Sequence, residues 1–401
     1  MNISLLDPFA ALKEFPETLT HTLSLGYSVC VKYSNQGNYL ASGLSSGAIV
    51  IIDNDTKSVI RQLNGHTRPI QSLCWSKCGR FLLSSSRDWK TLVWDLDKNE
   101  IIKTFKFDGP IWHSEFNPLD HNEIVVSLYD ELPVFIDSNN NLHQLQNEKV
   151  LVVKYHANGK LIFTGTNKGV ISIIKREGLE KVFEQKFTNS SIKNIVISKD
   201  GLKLAINSSD RILRQIKLPK FQDIVDPGLW ELEIEHKYQD IVNRIQWNSI
   251  AFNDNSEYLI ASAYGSAHVI YMWETSMGSL VKILEGPKEE LVDIEWNTTK
   301  CIICATGVDS GIVYIWSLVV PQKWSSLAPD FVEIEENIDY EEKEDEFDIV
   351  PADELNLKQL NEEADEFIDV MTKEDKDARG NPLDSGFIVP IDYNFDPSYI
   401  T

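Results

Sequence analysis

The chain has 401 residues, 42% of them apolar and ten of them Trp, enough for one large packed core or two average ones. Its net charge of −23 is concentrated in residues 321–401, which carry 24 acidic against 6 basic side chains; residues 1–320 hold 37 against 32, which excludes a wholesale nucleic-acid footprint. The five cysteines, the start "MNISLLDPFAALKEF" without a basic leader, and the lack of any apolar run of about 18 residues lead us to expect a soluble intracellular protein with reduced thiols and no membrane span.

In chain order, the first ordered unit reads "SVCVKYSNQGNYLASGLSSGAIVIID" and ends at Asp53. Its three short runs of β-branched and aromatic residues, separated by turn residues, predict successive antiparallel strands. The next unit opens on Gly65-His66 and closes on Trp94-Asp95, and a third, "PIWHSEFNPLDHNEIVVSLYDELPVFID", closes on Asp137. Four more follow, ending at Lys175, Lys217, Glu274 and Ser317.

A period near 40 with a Gly-His and Trp-Asp frame is the signature of WD40 repeats, each one blade of a β-propeller. The expected fold is therefore all-β, a seven-bladed WD40 propeller over residues 1–320 followed by an extended acidic tail, with residues near the N-terminus able to complete the last blade. One blade cannot bury both its faces, so the blades must close into a ring.

Unit two carries the full polar frame. His66, Ser84 or Ser86, Asp88 and Trp94 are expected to form a buried hydrogen-bonded chain, kept whole because each unpaired buried polar group costs ~1–3 kcal/mol. In four other units Ile52, Ile136, Ile174 and Ile216 stand where the Trp would be, so apolar packing is expected there instead. Between Ile216 and Trp273 the spacing stretches to 57, which places an insertion at "LPKFQDIVDPGLWELEIEHKYQD", either a binding element or a long connection.

Catalytic motifs are missing. "CIIC" at Cys301–Cys304 has CxxC spacing, but it falls in a run that reads as a strand, where residues three apart point to opposite faces, so core cysteines are expected rather than a metal or redox site. There is no Gly-rich phosphate loop, nucleophile elbow or HExxH helix. The chain is expected to be no enzyme on its own and to need no cofactor or metal.

After Trp316 the acids take over, yet single apolar residues recur among them: Phe331, Ile334, Ile338, Tyr340, Phe347, Ile349, Phe367, Ile368 and Val370. Such anchors set among solubilising charges suit docking onto partners. The segments "WSSLAPDF" and "EENIDYEEKEDEFDI" in this tail, with "MNISLL", "SLCWSKCGRFLLSSS", "NPLDHNEIVV", "DRILR" and "WETSMGSLVKILEG" in the body, closely resemble the retinoblastoma-binding protein 5 family, and the resemblance covers essentially the whole chain. That family supplies the WD-repeat subunit of COMPASS-type histone H3 lysine-4 methyltransferases, and the short tail resembles its fungal form.

The resemblance implies a nuclear, non-catalytic scaffold and activator with three parts: the propeller at 1–320, an activation and docking segment at 321–350, and a further docking tail at 351–401. Carried onto this sequence, Phe331, Val332, Glu333, Ile334, Glu335 and Asn337 would face the SET-domain catalytic subunit. Ile338, Tyr340, Glu341, Glu342, Glu344, Glu346, Phe347 and Asp348 would face a SPRY-domain subunit, their carboxylates pairing with a basic pocket. Ile368, Asp369 and Val370 would bind a second WD40 propeller subunit, and "FIVPIDYNFDP", 387–397, would be a further docking strand whose partner the residues do not specify.

Family propellers also rest on nucleosomal DNA. Arg211, Arg244 and Lys288 occupy corresponding places, whereas "SAYGSAHVIY" lacks the basic residue the family often has there. A WD-repeat scaffold of another class, such as a ubiquitin-ligase substrate receptor or a trafficking-coat subunit, remains the alternative reading; neither involves a membrane span.

Overall fold

Short apolar segments separated by tight turns pair most readily with their sequence neighbours, and that is how the chain folds. The computed structural model describes residues 15–145, 148–221, 230, 232–240, 244–265 and 269–318. They form seven four-stranded antiparallel sheets, the blades of one propeller. Six blades are continuous in sequence, at residues 28–64, 70–106, 111–144, 150–186, 192–238 and 247–285. In blade two, for example, Ile70–Trp75, Phe81–Ser86, Lys90–Asp95 and Glu100–Lys106 pair in chain order from the inside of the ring outward.

The seventh blade is a composite. Leu291–Trp296, Ile302–Gly307 and Val313–Ser317 supply its three inner strands, and Thr18–Leu23, from the other end of the propeller, supplies the outermost. Thr18 lies opposite Ser317 and Leu23 opposite Val313. The hydroxyls of Thr20 and Ser317 meet at 2.8 Å across 297 residues of sequence. The N-terminal strand thus closes the ring, as expected, and supplies the fourth strand of the last blade.

The core is divided among the seams between blades. One apolar cluster joins blades one and two through Ile49, Ile51, Ile70, Leu73, Trp75 and Trp94. Another joins blades seven and one through Val31, Tyr33, Ile52, Val313 and Ile315. Each remaining seam has its own. A blade flanked on both sides buries both faces of its middle strands, which explains why "FLLSSS" and "TLVWD" do not alternate apolar with exposed polar residues.

Ile52, Ile136, Ile174 and Ile216 are all buried, so apolar packing does replace the Trp at those positions. Cys304 is buried at the seam of blades seven and one, where loss of solvent pushes its thiol well above the usual range, and Cys301 precedes the strand and is partly exposed.

The stretch 218–240 divides in two. Its end, Glu233–Tyr238, is the outermost strand of blade five, so the inserted part is shorter than the spacing implies. Trp230 is buried and stacks edge-on against Phe221 with ring centroids 4.8 Å apart, and Phe221 in turn meets Phe163 and His156 of blade four. Trp230 is a packing anchor, which leaves it unable to serve as an exposed binding aromatic.

Candidate docking face of the propeller

In a blade whose strands pair in chain order, the connection entering the innermost strand and the turn joining the second and third strands lie at the same end. All seven blades therefore present fourteen such segments on one face of the ring. Blade two shows how this face is held. Nδ1 of His66, in the connection from blade one, lies 3.0 Å from Asp88 Oδ2, and its Nε2 lies 2.8 Å from Ser84 Oγ, which accepts the indole N–H of Trp94 at 2.8 Å.

Burial holds the His66 imidazole below its ordinary pKa despite the Asp88 carboxylate, so it sits neutral. It then donates from Nδ1 to Asp88 and accepts the Ser84 hydroxyl at Nε2. Asp88 also receives the backbone N–H of Lys90, at 3.0 Å, and that of Thr67. Ser84 is thus the serine of the frame. Ser86 instead donates to the Arg68 carbonyl and accepts from the Asp88 N–H.

Two other blades solve the same problem with different residues, which the search for a His/Trp frame did not reveal. In blade five, Asp210 accepts from Thr188 Oγ1 at 3.0 Å, Ser208 Oγ at 2.5 Å, the Ile212 N–H at 3.1 Å and Arg214 at 2.5 Å. Burial works against its ionisation, but these donors outweigh it and bring the carboxyl down to about 2. Blade five therefore has a polar frame as well as the apolar packing of Ile216. In blade seven the buried Glu289 accepts from the N–H groups of Asp309 and Ser310, the Ser310 hydroxyl and the Tyr314 hydroxyl.

The blade-five and blade-seven frames position two of the three cations singled out in the sequence, Arg211 and Lys288. Arg211 follows Asp210 in the blade-five turn, Arg244 enters blade six, and Lys288 precedes Glu289 at the entry to blade seven; all three are exposed on the same face. Arg211 is tied to the entry of blade six, the segment that carries Arg244. The Trp247 indole, three residues beyond Arg244, donates to the Arg211 carbonyl at 3.1 Å, and the Arg244 N–H donates to the Asp240 carbonyl at 3.0 Å. Both arginines have positive φ, 71° and 49°. Lys168, in the blade-four turn, is a further exposed cation on this face that the sequence reading passed over.

Exposed aromatics on the same face were also missed: Tyr27, Trp89, Tyr129 and Tyr264 in its connections and turns, with Trp112 just inside blade three. In sequence they are indistinguishable from core aromatics. The tail residues 331–335, 337, 338, 340–342, 344, 346–348 and 368–370, and the segment 387–397, lie outside the described residues.

The WD40 family, described as WD domain, G-beta repeat, matches residues 57–95, the span of the intact polar frame. The chain is 44% identical to the COMPASS component SWD1 of Saccharomyces cerevisiae, over 98% of each chain, and 44% identical to the Set1 complex component swd1 of Schizosaccharomyces pombe, over 87% of this chain and 90% of the relative. It is 34% identical to the Drosophila melanogaster retinoblastoma-binding protein 5 homolog over 92% of this chain and 76% of that protein. Among solved structures, the Myceliophteria thermophila Cps50 (Swd1) β-propeller domain aligns with a TM-score of 0.73 at 34% identity, covering 76% of this chain and all of that domain.

Proposed function

The chain belongs to the family of Swd1 and retinoblastoma-binding protein 5, and we propose that it is the non-catalytic WD-repeat scaffold and activating subunit of a COMPASS-type histone H3 lysine-4 methyltransferase complex in the nucleus. The observation that carries this reading is the extent of the likeness to a COMPASS component: it runs through the acidic tail as well as the propeller. A propeller alone is shared by many unrelated scaffolds and supports only the fold.

The finer proposal concerns the division of labour. The propeller is a rigid body with a cationic arc, Arg211, Arg244 and Lys288, which contacts nucleosomal DNA. The tail is the activator. Residues 331–335 and 337 lie on the SET domain, residues 338, 340–342, 344 and 346–348 bind the SPRY subunit, and 368–370 bind a second WD-repeat propeller. Acidic side chains interleaved with aromatics suit this role, because the charges pair with arginines while the aromatics anchor in desolvated pockets.

Affinity purification of the full chain from its source cell tests the reading. Recovery of a SET-domain methyltransferase, a SPRY-domain protein and a second WD-repeat protein is expected. Recovery of ubiquitin-ligase or coat subunits in their place would assign the chain to another class of scaffold.

A further inference from the structure

The seam of blades four and five opens on the docking face as a cavity of about 560 Å³. Residues 186–190, the connection from the outermost strand of blade four into blade five, line it together with Asp210 and Arg214. The connection is pinned at several points. Phe187 and Thr188 donate their N–H groups to the Gly169 carbonyl at 3.0 and 3.3 Å, and the hydroxyls of Ser191 and Ser209 meet at 2.7 Å. The cavity is therefore built into the seam.

Its floor holds a guanidinium in a buried place, for Arg214 is only 7% exposed. Nη1 donates to Ser208 Oγ at 2.8 Å and to the Ile212 carbonyl at 3.2 Å, and Nη2 to Asp210 at 2.5 Å. A guanidinium has five N–H donors, so two are left without an acceptor among the described residues. Asp210 cannot take them, because Thr188, Ser208, Ile212 and Arg214 already fill its acceptor positions.

The surrounding charge is positive. Asp210 is the one carboxylate in the lining, and Arg214 neutralises it. Lys186 is exposed at the rim, Lys237 lies opposite Arg214 on the next strand, and Lys168 and Arg211 occupy the adjoining turns. Of the acids on the two flanking outermost strands, Glu184 pairs with Lys181 at 2.7 Å, Glu235 accepts the Gln215 amide at 2.8 Å, and Glu233 lies at the far end opposite Lys217. Asp240, beyond that strand, accepts the Tyr271 hydroxyl at 3.1 Å. Spare guanidinium donors below and ammonium groups above select a compact anion with several acceptor oxygens.

We propose that this cavity binds a phosphoserine or phosphothreonine side chain of a partner protein, with Arg214 at its floor and Lys186 and Asn189 at its rim. The recess decides between phosphate sources. Duplex DNA carries its phosphates on a wide cylinder and meets exposed cations such as the arc, whereas a phosphate at the end of a side chain can reach a buried guanidinium and brings nearly two charges. Phe187 gives the methylene or methyl of that side chain an apolar wall. The site needs neither the proposed complex nor the DNA contact for its chemistry.

The test uses the full chain and a short fluorescent peptide of glycine and serine with one central phosphoserine, read by anisotropy at near-physiological salt. The phosphopeptide is expected to bind at least about tenfold more tightly than the same peptide with serine or glutamate at that position. Its affinity should rise about fourfold from pH 5.5 to 7.5 as the phosphate, with its second pKa near 6, becomes a dianion. No histidine lines the cavity and Asp210 is already ionised over that range, so the protein side contributes no such change. Arg214→Lys should weaken the phosphopeptide about tenfold, since the ammonium cannot supply the forked donors. Lys186→Ala with Asn189→Ala, both exposed, should weaken it about threefold with thermal unfolding unchanged, which keeps the test open if the buried variant unfolds. The proposal is overturned if the glutamate peptide binds as tightly, if affinity is flat with pH, or if the rim variant binds as the parent does. It also fails if a short DNA duplex loses as much affinity to these changes as the phosphopeptide, which would make the cavity part of a nucleic-acid surface.

Discussion

The Trp247 indole N–H donates to the Arg211 carbonyl at 3.1 Å, so a fully buried aromatic of blade six fixes the backbone under an exposed cation of blade five. The seam that holds the ring together also sets where the charge stands. Replacing Trp247 with Phe keeps most of the apolar contact and removes the donor, at an expected cost of about 1–3 kcal/mol from the unsatisfied carbonyl and the space left. Chemical denaturation measures the loss, and nucleosome affinity should fall with it as Arg211 is released.

Charge reversal at Arg211 and Arg244 tests the cationic arc directly. Assembled complex carrying both changes should bind nucleosomes more weakly, with a flatter dependence on salt, because fewer counterions are released. Methylation of a free histone peptide should be little changed. Equal loss on both substrates would indicate misassembly.

The frame of blade two predicts a large stability effect. Trp94→Ala should cost about 3–5 kcal/mol, since it removes a buried indole from the seam of blades one and two and leaves Ser84 with one partner fewer. A thermal unfolding midpoint that barely moves would rule out the frame as a structural element.

Two carboxylates make opposite predictions for pH. Asp293 receives Val31 N–H of blade one at 3.0 Å and the Ser249 hydroxyl of blade six at 3.1 Å, yet burial raises its carboxyl to about 6. The folded state therefore holds a proton there that the unfolded chain has released, and this site's contribution falls as pH rises from about 4 to 6. Asp293→Asn should flatten the stability profile over that interval. Asp210, brought down to about 2, contributes stability that is present above about 4 and lost as pH falls toward 2, and Asp210→Asn should remove that acid-range dependence. Unfolding midpoints measured across pH for the parent and both variants separate the two effects.

The proposed division of the tail yields paired outcomes. Phe331→Ala with Ile334→Ala should lower methyl transfer while the SPRY subunit stays bound, and Glu341, Glu342 and Glu344 changed to Lys should release that subunit in a salt-dependent way. A peptide spanning 324–350, added to the catalytic and SPRY subunits without the propeller, should restore activity in part. If it restores none, or if the chain lacking those residues activates normally, activation belongs to the propeller.

The repeat frame was legible because local chemistry writes it. Gly65-His66, the turn Asp88 and Trp94-Asp95 spell the frame out in one unit, the strand-and-turn pattern around it recurs at a period near 40 that a four-stranded blade explains, and the need to bury both faces of each blade implies a closed ring. The acidity of residues 321–401 was legible for the same reason, since charge is a property of composition. Other features carry no fixed residue signature. Asp210 with Arg214 and Glu289 with Tyr314 replace the His/Trp frame, and no periodicity marks them because the partners are chosen by space rather than by residue type. Trp230 and Trp89 are both tryptophans near turns, yet one is buried against Phe221 and the other faces solvent, a difference set by what the neighbouring blade places beside each. The sequence alone determined the fold and its cationic and acidic segments; which side chains share a face was decided by ring closure, because that brings together turns separated by a whole blade or more of chain.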